Sequence, residues 1–188
     1  MTITTTKYNY FKSLGLDGTI QDMEKKYWEA QVAGAGRTPY VLAQSGVAVP
    51  LTGVTDETIL ATITVPANTL GANGSIRITA GFSYTSSTNA KTPRIKFGGA
   101  SGMLLFGPAI TTANAQVVAQ VSVHNRNSTS SQVSGYNTGT ATFSTNTVAP
   151  ITGAFDTTQA QTILITGQLA VGTETLTLER YTVEIVPF

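Results

Sequence analysis

The side chains able to do acid–base, nucleophilic or metal chemistry are few, and their spacing does not suit it. The chain has one histidine, His124, and no cysteine. A catalytic histidine needs a nucleophile to activate and a third group to orient it. No serine lies in a Gly-x-Ser-x-Gly elbow. His124 ends the polar side of an alternating segment, just before a loop, and reads as a surface or interface residue. A lone imidazole without thiolates cannot supply the ligand set of a zinc site, so no metal is expected.

The carboxylates beyond residue 40 are Asp56, Glu57, Asp156, Glu174, Glu179 and Glu184. A glycosidase needs two such groups within about 10 Å across the scissile bond. Asp56 and Glu57 adjoin each other in a turn and point apart in any extended conformation. Glu174 falls in a tight-turn region. Glu184 shares strand parity with Arg180, which makes an ion pair the simpler account. A loop calcium site at Asp56 or Asp156 has few oxygen ligands nearby. Gly34-Ala35-Gly36-Arg37 follows a helical pattern instead of opening one, the wrong polarity for an anion site. Gly98-Gly99-Ala100-Ser101-Gly102 lacks the Lys-Ser/Thr of a phosphate loop. Both stretches read as turns. No catalytic residue and no cofactor is expected.

A basic group remains: Lys91, Arg94, Lys96 and Arg126. Arg94 and Lys96 share one face of a strand and could form a small positive patch for an acidic sugar or a partner. They could equally be the solvated charge that discourages mispairing of an edge strand. Arg94, Lys96, Arg126 and the loop aromatic Tyr136 make up the candidate ligand or partner patch.

The elements that would position these groups fall into two regimes. Residues 1–40 hold nine of the 21 charged side chains, and the other 148 residues hold twelve. In the first regime Thr19 and Asp22 resemble a capping box. Ile20, Met23, Tyr27 and Ala30 recur at helical spacing, with Trp28 widening the stripe. Gly34, Gly36 and Pro39 stop the helix. Tyr8, Tyr10, Phe11, Leu14 and Leu16 precede it without a clear period. A helix of about 14 residues is marginal alone in water, so its apolar face must dock onto something.

The second regime alternates with period two. Strands are expected at Thr58–Val65, Ser75–Tyr84, Arg94–Phe97, Met103–Phe106, Ala115–Asn125, Thr138–Thr145, Thr162–Ala170 and Thr175–Val186, separated by turn signals such as Asn73–Gly74. The first places Ile59, Ala61, Ile63 and Val65 on one face. The last changes parity between Leu178 and Tyr181, which a bulge near Glu179–Arg180 would reconcile. Ser128–Gly135 reads as a polar, exposed connection. The expected fold is all-β: an antiparallel β-sandwich of jelly-roll type with about eight strands over residues 41–188, preceded by a helical attachment arm over residues 1–40.

Composition agrees. Only 11% of residues are charged and the net charge is +1, which offers no basic stripe for nucleic acid. No apolar run approaches the roughly 20 residues needed to span a membrane. MTITTTKYNYF lacks the pattern of a secretory signal.

The run TILATITVPANTLGANG into SIRITAGFSYTSSTNAKTPRIKFGG, then HNRNSTSSQ and TLTLERYTVEIV, resembles the jelly-roll module of structural proteins of tailed bacteriophages: head fibres, capsid decorations and tail-associated proteins. The resemblance spans roughly residues 50–188. It implies a non-enzymatic virion protein, assembled in the host cytoplasm, homotrimeric, and in contact with major capsid or tail proteins. Tyr10, Phe11, Ile20, Met23, Tyr27 and Trp28 would then form the particle-anchoring surface. The alternative is a tail-associated module that recognises host surface glycans, with Tyr84 or Tyr136 lining a sugar site.

Overall fold

The computed structural model describes residues 12, 22, 38–135 and 149–186. The expected helix, its anchoring candidates Tyr10, Phe11, Ile20, Met23, Tyr27 and Trp28, and the strand expected at Thr138–Thr145 lie outside the described residues. Pro39–Pro187 forms one compact unit.

Its described part is all-β. The strands are β1 (Tyr40–Ser45), β2 (Val49–Thr52), β3 (Thr58–Val65), β4 (Ser75–Tyr84), β5 (Lys91–Phe97), β6 (Met103–Phe106), β7 (Gln116–Asn125), β8 (Gln132–Ser134), β9 (Ile151–Gly153), β10 (Gln161–Leu169) and β11 (Thr175–Val186). The larger sheet runs β1-β11-β4-β7-β8-β9, with β2 also paired to β11. The smaller runs β3-β10-β5-β6. Every pairing is antiparallel, and the two sheets form a sandwich around one apolar core. Eleven strands stand among the described residues, more than the eight expected.

The core follows from alternation. Ile76, Ile78, Ala80 and Phe82 of β4 face Ile95 and Phe97 of β5 and Ile163 and Ile165 of β10, all buried. Burying one such side chain contributes about 1.5–3 kcal/mol. Phe97 meets Phe155 edge to face at 5.8 Å. Gly98 closes the same corner at φ +90°, where a Cβ would lie 2.3 Å from the Phe155 ring.

Two register shifts decide which side chains face inwards. In β11 the shift between Leu178 and Arg180 leaves Glu179 extra. Leu176 and Leu178 therefore share the core with Val183 and Ile185, as the parity change predicts. Arg180 then lies over Gly81, whose missing side chain leaves room for its stem. The shift opposite Ile165/Thr166 in β10 has no such signature in the sequence. It turns Leu60 inwards and leaves Ile59 56% exposed, correcting the regular alternation expected for β3.

The segment before Gly135 needs a second correction. Gln132 and Ser134 are buried in β8, not part of an exposed connection. Gln132 donates to Asn125 Oδ1 at 2.9 Å and Phe155 O at 3.0 Å, and accepts from the Phe155 N–H at 2.8 Å. Asn125 donates to Gly71 O and Thr157 Oγ1, and Thr157 donates to Thr129 O. A polar clasp with its hydrogen bonds made thus replaces apolar packing and pins three loops at one end of the sandwich.

Candidate functional site

Strand parity in β5 sends its side chains to opposite faces. Lys91, Pro93, Ile95 and Phe97 point inwards, and Thr92, Arg94 and Lys96 point outwards. In the adjacent β10, Thr166 pairs with Arg94 and Gln168 with Thr92. Both are part of a polar cluster on the outer face of the smaller sheet.

Glu57, just before β3, is the centre of that cluster. Its Oε1 lies 2.7 Å from Lys96 Nζ and accepts from Thr166 Oγ1 at 2.6 Å. Its Oε2 lies 3.5 Å from Arg94 Nη1. Arg94 Nη2 donates to Gln168 Oε1 at 2.8 Å, and Lys96 donates to Ala100 O at 3.3 Å. The Arg94 and Lys96 side chains are only 19% and 16% exposed, Glu57 32%. Arg94 Nη1 is out of solvent and makes no hydrogen bond. Burial pushes the Glu57 carboxyl up, but the Lys96 and Thr166 hydrogen bonds and the Arg94 and Lys96 charges together hold it below its usual value. The arrangement is suited to fixing a carboxylate. Among the described residues Glu57 is the one carboxylate in contact with this cluster.

The predicted patch is thus partly assembled. Arg94 and Lys96 converge, as their parity requires, but on Glu57, which sequence reasoning places only in a turn. Arg126 follows β7 in the other sheet, exposed, its backbone N–H donating to Ser131 O. Tyr136 lies outside the described residues. Lys91 does not belong to the patch at all. It is fully buried, 3.2 Å from Glu174, and it also donates to the Ser87 carbonyl at 3.2 Å and to the Ser87 hydroxyl. Glu174 accepts from Ser87 Oγ and from Asn89 Nδ2. Those two hydrogen bonds, then the Lys91 ammonium, hold its carboxyl below the usual value against burial. Extending the β5 alternation back to residue 91 would have revealed this inward lysine.

Other expectations resolve individually. His124 sits on the polar side of β7, exposed, with Nε2 3.1 Å from Ser122 Oγ. Glu184 pairs with Arg77 at 3.5 Å, not with Arg180, because Arg77 is its direct cross-strand partner, whereas Arg180, four residues away on the same extended strand, is about 13 Å distant. Gly98-Gly99 forms the β5–β6 turn, both N–H groups donating to Thr162 O. Tyr84 is 7% exposed and donates to Gln116 O at 3.0 Å, so its ring is no sugar platform. Among the described residues no group of three potential metal ligands occurs.

No protein-family model matches the chain, and no curated protein matches it in sequence. Solved structures are similar only distantly. Dimeric latent PorU from Porphyromonas gingivalis aligns over 81% of this chain at 8% identity and TM-score 0.35, and the chain spans only 14% of that protein's length. The EclA C-terminal domain, a sugar-binding protein, aligns at 16% identity and TM-score 0.37, covering 88% of this chain and 96% of that one. The CBM2 module of an evolved Dit from Lactobacillus casei BL23 phage J-1 aligns at 7% identity and TM-score 0.35, covering 68% and 69%. Likenesses this distant assign no activity to the chain.

Proposed function

We propose that the chain is a non-enzymatic structural protein of a tailed-phage particle, of the capsid-decoration or head-fibre type. It attaches through residues 1–40 to a major capsid or tail protein and assembles as a homotrimer. The observation that carries this reading is the strand order. The chain crosses between the sheets at β2–β3, β3–β4, β4–β5, β6–β7, β9–β10 and β10–β11, so that β2-β11-β4-β7 faces β3-β10-β5-β6, the paired Greek keys of a jelly roll. That order supports the likeness carried by the sequence itself.

Charge placement is in keeping with it. Lys91 is engaged by Glu174, Arg94 and Lys96 by Glu57, and Arg77 by Glu184. The outer face of the larger sheet presents Thr79, Gln116, Gln120, Ser122 and Thr182 around those strands. These uncharged polar groups surround the Arg77–Glu184 pair, with Arg180 and exposed Val118 on the same face, a mixed surface that suits a close protein neighbour. For the glycan-binding alternative the described residues offer one aromatic side chain with substantial exposure, Tyr40 at 44%.

The test is removal of residues 1–40. The truncated chain is expected to keep its sandwich but to be absent from purified particles. Truncated chain present at full occupancy would overturn the attachment reading. Light scattering should give a mass near 59 kDa, about three times the 19.7 kDa chain. A monomer in solution would overturn the trimer.

A further inference from the structure

Glu57 differs in kind from the groups that receive it. It ends the exposed stretch 52–57, which buries no side chain in the core. The receiving side chains Arg94, Lys96 and Thr166 stand on the paired strands β5 and β10, where Gln168 braces Arg94 by accepting from its Nη2. Two cations and a hydroxyl therefore form a seat on a sheet, and a loop carboxylate occupies it. The seat is not saturated by that occupant. Arg94 Nη1 is withdrawn from water, makes no hydrogen bond, and stands 3.5 Å from the nearer Glu57 oxygen. A buried guanidinium nitrogen left in this way points to an acceptor that Glu57 does not fully supply.

We propose that this seat binds a carboxylate carried by a partner protein, with Glu57 as its tethered occupant, displaced when the partner's acidic side chain arrives. Withdrawing Glu57 leaves the Arg94 and Lys96 charges unopposed, so the open seat is complementary to an anion. The exchange exposes no core residue, and Gly53, at φ +81° and bonded to Gly172 O at 2.8 Å, marks where the loop stays tied. A protein is favoured over a sugar by the surroundings. The outward residues Ile59, Thr62, Thr64, Thr92 and Leu104 include no aromatic ring on which a pyranose could stack. The edge strand β3, with Ile59 exposed and threonines beside it, suits an extended peptide. This inference goes beyond the particle reading and holds whatever the chain is attached to.

The experiment uses the full-length protein, the variant Glu57→Ala, and the double variant Glu57→Ala/Arg94→Gln. The probe is a short capped peptide with one glutamate, titrated by NMR while the Thr166 and Gln168 amides are followed. Removing the tethered competitor should raise peptide affinity at least about tenfold over the unmodified protein. The double variant should lose that binding, and added salt should weaken it. Should Glu57→Ala fail to fold, Glu57→Gln removes the charge with little change in volume and is expected to show the same direction of effect. No saturable shift at Thr166 in either variant overturns the proposal. So does equal binding by the double variant, or saturation by galacturonic acid where the peptide leaves the seat unmoved.

Discussion

Lys91 and Glu174 meet at 3.2 Å at one end of the sandwich, with the lysine side chain wholly removed from solvent. A buried pair of this kind is costly to break from one side, because the surviving charge stays behind. The two sides are not equivalent. Glu174 keeps Ser87 and Asn89 as donors if the lysine goes. Lys91 keeps only Ser87 if the carboxylate goes. Glu174→Gln is expected to lower the urea midpoint roughly twice as much as Lys91→Met. Equal losses would show that the ammonium is satisfied without its counter-charge.

Acid stability follows from the same group. Its folded carboxyl is held below the ordinary 4.5, so the unfolded chain takes up the proton first. The stabilisation is complete above that ordinary value and is lost as pH falls through the lower folded value. The carboxyls of Glu57 and Asp156 shift in the same direction. The urea midpoint should therefore fall as pH drops below about 5 and through the lowered folded values, and less steeply in Glu174→Gln. A slope unchanged by that substitution would remove Glu174 from the account.

Gln132→Leu tests the polar clasp. It strands the Phe155 N–H and deprives Asn125 Oδ1 of its donor. The expected cost is about 2–4 kcal/mol in chemical denaturation, with faster hydrogen exchange at Phe155. A neutral result would mean that the clasp relaxes around the leucine.

Much of the sandwich is legible in the sequence because burial on one face forces period-two alternation. The limits of β3, β4, β6 and β11 fall where Thr58–Val65, Ser75–Tyr84, Met103–Phe106 and Thr175–Val186 are expected. The β11 bulge is legible too, since an extra residue is what lets Leu178 and Val183 share the core face of one strand. What escapes is whatever depends on a distant partner. The inward turn of Leu60 is set by its pairing with β10. Gln132 looks like a loop residue because nothing local says that Asn125 and Phe155 will satisfy it. Glu57 meets Thr166 across 109 residues of chain, a proximity no spacing rule contains. The anchoring residues lie outside what the structure describes.

Phe97→Ala should cost about 3–5 kcal/mol, since the side chain is fully buried and edge-on to Phe155. Val118→Ala, at a position 51% exposed on the other sheet, should stay within about 0.5 kcal/mol. Thermal or urea unfolding of both variants separates core from surface.

Gly98→Ala should destabilise by more than about 2 kcal/mol, because strain at φ +90° adds to the overlap with Phe155. Gly46→Ala meets nothing within 4 Å and should be close to neutral. If both are neutral, the β5–β6 turn is more yielding than its contacts imply.

The place of β11 in the larger sheet has a consequence for how the chain acquires its structure. It is made after the ten other described strands, yet β1, β2 and β4 all pair with it, and Tyr40 is matched with Ile185. On the ribosome the larger sheet cannot close until Thr175–Val186 has emerged. Until then β1 and β2 lack a paired strand among the described ones, and β4 has β7. Folding is therefore governed by contacts of long sequence separation, which are slow to form, and the nascent chain exposes open edges for most of its synthesis.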